Sequence, residues 1–190
     1  MNNLKIMIVG VGGQGTLKAS KLLGKLFLDH GYDVKVSEVH GMSQRGGSVV
    51  TYVSCGAKTY SPVIDCGEAD VIVSFELLEA ARWLPYLKKG GVILASKQQI
   101  DPMPVITGAA AYPEDIPERL QEAGICLETI DAYVIAEEVG SVRSVNMVLM
   151  GKLSRQFDFS EEEWLEAIRT AVPEKTVAVN QAAFTAGRNA

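Results

Sequence analysis

Residues 4–16 read Leu-Lys-Ile-Met-Ile-Val-Gly-Val-Gly-Gly-Gln-Gly-Thr. The stretch 4–9 is a short, nearly continuous apolar run, the pattern of a strand buried on both faces in a parallel sheet. Glycines end it at positions 10, 12, 13 and 15. Over residues 16–30, Leu17, Leu22, Leu23, Leu26 and Phe27 recur at helical spacing while Lys18, Lys21 and Lys25 take other faces, and Gly31 stops the helix. Residues 32–37 then read as a second strand. A strand, a glycine turn, a helix and a strand in this order predict a right-handed unit whose two strands are parallel neighbours.

The same alternation continues outward from this unit. Residues 48–54 are β-branched and aromatic and predict a third strand, with a turn into a fourth near 58–61 that Pro62 confines to an edge. Residues 69–75 predict a buried strand, 76–88 a helix, and 92–96 a strand led in by Gly90 and Gly91. Helix 113–123, strand 125–130, helices 131–138 and 142–156, the latter interrupted by Gly151, and a terminal helix 176–187 complete the pattern. Ser160 and Glu163 form a capping box, with Phe159 placed to pack on Trp164. The fold expected is α/β and Rossmann-like: a mostly parallel sheet with helices on both faces, in a single domain over residues 1–190.

Composition narrows the function. Hydrophobic residues make up 47% and charged residues 22% of the 190, which excludes a disordered or low-complexity chain. A net charge of −5 without a Lys/Arg stripe removes the driving term for nucleic-acid binding. Cys55, Cys66 and Cys126 form no CxxC pair, so the chain is expected to hold no metal or iron–sulfur cluster of its own. They read as buried, inert thiols in a cytoplasmic protein. No apolar stretch reaches the about 18 residues of a membrane span, so no membrane contact is expected.

The glycine turn is the first candidate site. Gly10 permits a tight turn, Gly12 lets backbone approach an anion, and Gly15 lets helix and strand pack, with Gly13 a further candidate in the same turn. The helix N-terminus at Thr16 offers unpaired amides and partial positive charge, and Gln14 adds an amide side chain. Glu38 ends the second strand where a dinucleotide-binding fold keeps its ribose-binding acid. Two readings stand side by side here: binding of an anionic group, or a bare tight turn with a solvated Glu38.

The second candidate site is residues 38–47, Glu-Val-His-Gly-Met-Ser-Gln-Arg-Gly-Gly. A loop leaving the second strand opens into the crevice where open α/β sheets bind ligands. Arg45 suits bidentate capture of a carboxylate or phosphate, with Gly46 and Gly47 leaving room beside it. His40 suits proton transfer or neutral hydrogen bonding. Gly41, Met42, Ser43 and Gln44 complete the loop as ligand or subunit contacts, and no residue is assigned a catalytic step. His30 reads as a cation at a helix C-terminus. Asn146 and Asn180 are disfavoured inside helices, so each is expected to bond something specific.

Together, GVGGQG and EVHGMSQRGG closely resemble the gamma domain of the 2-oxoacid:ferredoxin oxidoreductases, and within that family the small subunits of the indolepyruvate enzymes. The resemblance extends through Ser74-Phe75-Glu76, Glu79-Ala80, Gly90-Gly91, residues 146–151, Asn180, Phe184 and Gly187, and so covers the whole chain as a pyruvate/ketoisovalerate oxidoreductase gamma-type domain. It implies the small subunit of a complex that oxidatively decarboxylates a 2-oxoacid, such as an aryl pyruvate, to an acyl-coenzyme A and reduces ferredoxin. It further implies that thiamine diphosphate, magnesium and iron–sulfur clusters belong to a large catalytic (alpha) subunit. Coenzyme A is then a co-substrate, and this chain alone is inactive. The rival expectation is a self-contained NAD(P)-binding dehydrogenase or a nucleotide-binding module, resting on the glycine turn and Glu38 alone.

Overall fold

The computed structural model describes residues 3–40 and 46–190. Six strands form one sheet: β1 (Leu4–Val11), β2 (Asp33–His40), β3 (Ser48–Gly56), β4 (Ala69–Ser74), β5 (Leu87–Ser96) and β6 (Cys126–Ile130), in the order β2-β3-β1-β4-β5-β6. β1, β4, β5 and β6 pair in parallel, while β3 runs antiparallel to both neighbours. The connecting helices are α1 (Thr16–Asp29), α2 (Leu77–Arg82), α3 (Met103–Ile106), α4 (Ile116–Glu122), α5 (Ala132–Glu138), α6 (Val145–Ser154), α7 (Glu161–Ala171) and α8 (Val177–Asn189).

Alternation along the strands divides the core in two. Ile6, Ile8, Val71, Val73 and Leu94 point to one face, where α1, α5, α6, α7 and α8 cover them. Met7, Val9, Ile72, Ile93 and Ala95 point to the other, covered by α2 and α4. Each such aliphatic side chain removed from water contributes about 1.5–3 kcal/mol, which is why residues 4–9 read as apolar on both faces. A mostly parallel sheet with helices on both faces is therefore observed.

Several expectations need correction. β1 and β2 are not neighbours: β3 lies between them, because β2 and β3 pair as consecutive antiparallel strands and β3 then fills the place beside β1. Residues 58–61 form no strand; instead the Thr59 N–H and hydroxyl bond Asp33 at 2.9 Å each, lashing the segment across the start of β2. Helix α2 stops at Arg82, since Pro85 cannot donate the helical hydrogen bond, and a 3-10 turn over Leu84–Tyr86 leads straight into β5. Gly90 and Gly91 thus lie inside β5 rather than before it. Cys55 is buried, and burial pushes its thiol up to about 12, but Cys66 and Cys126 are exposed.

Gly151 does not interrupt α6. A Cβ there would collide with the Phe184 carbonyl of α8, and a Cβ on Gly187 would collide with the Val148 carbonyl of α6. The two glycines let the helix backbones touch.

The capping box forms as expected: the Ser160 hydroxyl accepts from the Glu163 N–H at 3.3 Å, and Glu163 accepts from the Ser160 N–H at 2.7 Å. Phe159 and Trp164 meet edge-on with ring centroids 6.5 Å apart. His30 has more to do than face a helix dipole. Its Nε2 pairs with Glu163 at 2.7 Å and its Nδ1 donates to the Leu26 carbonyl at 2.7 Å, joining the end of α1 to the start of α7. The Glu163 hydrogen bond, then the Leu26 carbonyl, raise the His30 pKa, and His30 with Ser160 lowers Glu163 to about 2.

Replacing Gly151 or Gly187 by Ala is expected to lower unfolding free energy by about 1–3 kcal/mol through overpacking, as read by urea denaturation; unchanged midpoints would refute the close approach. The His30–Glu163 pair makes a second prediction. A raised folded pKa means that its stabilisation is complete below the ordinary histidine value and fades as pH rises through the folded one. The depressed Glu163 pKa means that its share is present above the ordinary glutamate value and is lost only toward the folded value in acid. The melting temperature of the wild type should therefore fall relative to Glu163→Gln as pH rises from about 6 to 9. Parallel curves for the two proteins would contradict the pair.

Candidate functional site

The glycine turn is closed by one side chain. Gln14 Oε1 accepts the Val11 N–H at 2.7 Å, and Gln14 Nε2 donates to the Phe75 carbonyl at 3.0 Å and to Gln98 Oε1 at 3.1 Å. Gly10 has no room for a Cβ, which would lie 2.7 Å from Gln14 Oε1 and 2.9 Å from Phe75 Cβ. Gly15 adopts φ +91° as the residue before α1, a conformation that disfavours a side chain. The Gly12 N–H donates to the Gly47 carbonyl at 2.9 Å and the Gly46 N–H to the Gly12 carbonyl at 3.4 Å. Gly12 thus makes a close backbone approach to Gly46 and Gly47.

The part of the turn that lines a cleft begins at Gly13. Gly13, Gln14 and Gly15 line a cleft of about 550 Å³ together with Lys18, Gln98, Tyr133, Val142, Arg143, Val145 and Asn146. These residues sit beyond the carboxyl ends of β1, β5 and β6, the edge where such sheets bind ligands. Among the described residues, the lining carries two cations, Lys18 and Arg143, and no carboxylate. Gly15, just before α1, and Val145 and Asn146, which begin α6, are in this lining, and neither helix has an acidic residue in its first turn. Asn146 is 2% exposed, and its Oδ1 has no hydrogen-bond partner among the described residues. A buried polar atom left unpaired costs about 1–3 kcal/mol, and this residue belongs to the lining of the cleft. A second cleft of about 490 Å³ lies at the opposite end of the strands, but there Lys88 and Asp70 already satisfy each other at 2.9 Å.

The structure brings together some of the residues singled out in the sequence. Gly10, Gly12, Gly13, Gln14, Gly15 and Thr16 make the turn and the start of α1, with Gly46 and Gly47 hydrogen-bonded against it. His40, Val49 and Gly10 form one row across β2, β3 and β1, so the two motifs leave the same edge of the sheet. Glu38 lies in the row Glu38, Thr51, Ile8, with β3 between it and β1; this differs from the adjacent acid of a dinucleotide site. Gly41, Met42, Ser43, Gln44 and Arg45 lie outside the described residues. Asn180 bonds the Thr176 carbonyl at 2.7 Å, an internal tie. Sequence reasoning missed Lys18, Gln98, Tyr133 and Arg143, which belong to no local motif; only Asn146, an Asn inside a helix, carried a signal.

The family model for pyruvate ferredoxin/flavodoxin oxidoreductase matches residues 5–190. The chain belongs to that family. Among its relatives, indolepyruvate oxidoreductase subunit IorB of Thermococcus kodakarensis is 45% identical, with 98% of this chain and 95% of that protein covered. The subunit of the same name from Pyrococcus horikoshii is 46% identical over 98% and 95%. The gamma subunit of a keto/oxoacid ferredoxin oxidoreductase from Geobacter sulfurreducens superposes with a TM-score of 0.72 at 21% identity, covering 98% of this chain and 96% of that one. A 2-oxoglutarate:ferredoxin oxidoreductase from Magnetococcus marinus, solved with 2-oxoglutarate, coenzyme A and succinyl-CoA bound, gives 0.76 at 23% identity, with all of this chain matched to 31% of that one. These structural likenesses establish a shared fold. Nothing in the family match or the curated relatives supports the rival dehydrogenase.

Proposed function

We propose that residues 1–190 form a gamma-type domain acting as the small subunit of a cytoplasmic 2-oxoacid:ferredoxin oxidoreductase that takes aryl pyruvates such as indolepyruvate, and that its cleft forms the coenzyme A side of the shared active site. The names of the full-length relatives favour this substrate class. The carrying observation is the cleft beside the glycine turn, with Lys18, Arg143, two helix N-termini and the unpartnered Asn146 in one lining. Coenzyme A is a polyanion with an aromatic base and a long amide-bearing arm. Arg143, Lys18 and the α1 amides suit its phosphates, Tyr133 and Val142 offer apolar surface, and Asn146 can pair with an amide or hydroxyl.

On this reading the large catalytic (alpha) subunit supplies thiamine diphosphate, magnesium and the iron–sulfur clusters, and ferredoxin meets the assembled complex. Magnesium takes oxygen donors and clusters take thiolates, and no group of three His, Cys, Asp or Glu converges among the described residues. The work of this chain is to hold and orient the acyl acceptor and to exclude water from around it. The glycine turn, Thr16 and the loop from Glu38 and His40 through Arg45 to Gly47 then serve as ligand contacts or as contacts to the large subunit.

In the complex of this chain with its large subunit, Arg143→Ala and Asn146→Ala should each raise the KM for coenzyme A about tenfold while leaving the KM for the 2-oxoacid unchanged. The isolated chain should show no turnover. Unaltered coenzyme A kinetics in both variants would remove the cleft from the site.

A further inference from the structure

The segment joining β5 to α4 contains no buried residue from position 97 to 113, and Met103 and Ile106 are each 65% exposed. Of its residues, Tyr112 packs half-buried against the core beneath α2 and α4, so apolar burial holds it at that one point. Yet Gln98, on this segment, forms one wall of the cleft and bonds Gln14. The Lys97 N–H donates to the Ile130 carbonyl of β6 at 3.0 Å, and further ties run to the start of α2. The Leu77 N–H donates to the Gln98 carbonyl at 3.0 Å, and the Ile100 N–H donates to Glu76 Oε1 at 3.2 Å. The Tyr112 hydroxyl donates to Glu76 Oε1 and accepts the Leu78 N–H at 3.1 Å. Burial, and then the Glu76 carboxylate, push the Tyr112 pKa up, so its hydroxyl stays protonated as a donor.

The opposite flank is tied to the same turn of α2. Glu79 accepts from the Ser48 hydroxyl, from Trp83 Nε1 at 3.2 Å and from Arg82 Nε at 3.0 Å. Ser48 directly follows Gly47, whose carbonyl holds Gly12. Glu76 and Glu79 are 1% and 4% exposed. Two carboxylates taken out of water within one helical turn are costly as stabilising devices, and apolar residues often serve a core equally well. Glu76 caps α2 by accepting the Glu79 N–H at 2.9 Å. Beyond that cap the two carboxylates accept from the segment that carries Gln98 and from Ser48, whose neighbour Gly47 holds Gly12 next to the lining residue Gly13.

We propose that Glu76 and Glu79 are positioning residues that set the width of the cleft, Glu76 through Tyr112 and Ile100 on the Gln98 side and Glu79 through Ser48 on the Gly12 side. This rests on the reading of the cleft as the coenzyme A site. The carboxylates touch no ligand; they fix the walls that do. Loosening either wall weakens binding of the acyl acceptor without altering the chemistry that follows.

The test uses Tyr112→Phe and Ser48→Ala, which remove one hydroxyl each and leave both carboxylates in place, so the fold is retained. In the complex with the large subunit, each should raise the KM for coenzyme A about three- to tenfold, with kcat at saturating coenzyme A unchanged. Ser48→Thr, which keeps the hydroxyl, should restore the wild-type KM. A fall in kcat with KM unchanged, or wild-type KM in both variants while Arg143→Ala still raises it, overturns the positioning role and leaves the coenzyme A site standing. Wild-type KM in all of these variants, Arg143→Ala included, overturns both.

Discussion

The carboxamide of Gln14 holds the site together. It accepts the Val11 N–H, donates to the Phe75 carbonyl and donates to Gln98. Of the uncharged side chains, only Asn and Gln carry both a carbonyl acceptor and two N–H donors on one rigid plane, and the reach from Gln14 to the end of β4 needs the longer of them. The same contact explains Gly10: any side chain there would occupy the space of the Gln14 oxygen. From this one amide, the end of β1 is joined to the end of β4 and to the segment after β5, and the three strand ends become one rim.

That rim accounts for how the glycine motif is used. Its pattern suits a dinucleotide fold, but in this chain the central glycine amide is taken up by Gly47 and the acid Glu38 stands behind an intervening antiparallel strand. What remains open is the first turn of α1, facing Arg143 and Asn146 across a cleft. With Lys18, Arg143 and Asn146 among its described lining, such a cleft suits the polyanionic carrier proposed for it, and on that proposal it needs no catalytic dyad of its own.

Much of this was legible in the sequence because it is local. The apolar run at residues 4–9, the helix after Thr16 and the capping box at Ser160 each depend on neighbours a few positions away, and each formed as read. The insertion of β3 between β1 and β2 was not legible, since strand order depends on long-range pairing that a periodic pattern does not encode. Pro85 lies inside the expected helix 76–88, and α2 ends before it because proline lacks the N–H that the helix requires. Gly151 read as a break because glycine weakens helices, whereas its role is contact with α8. The cleft cations Lys18 and Arg143 come from elements far apart in the chain, and only the fold brings them together. Glu76 and Glu79 stood out by family resemblance, and their burial supplies the physical reason.

The most direct test of this account is a structure of the assembled complex, with the large subunit and coenzyme A present, determined by cryo-electron microscopy. The account predicts a coenzyme A phosphate at the N-terminus of α1 within hydrogen-bonding distance of Arg143, with Asn146 Oδ1 paired to the ligand. Coenzyme A held wholly by the large subunit, with the cleft filled by protein or by solvent alone, would contradict it.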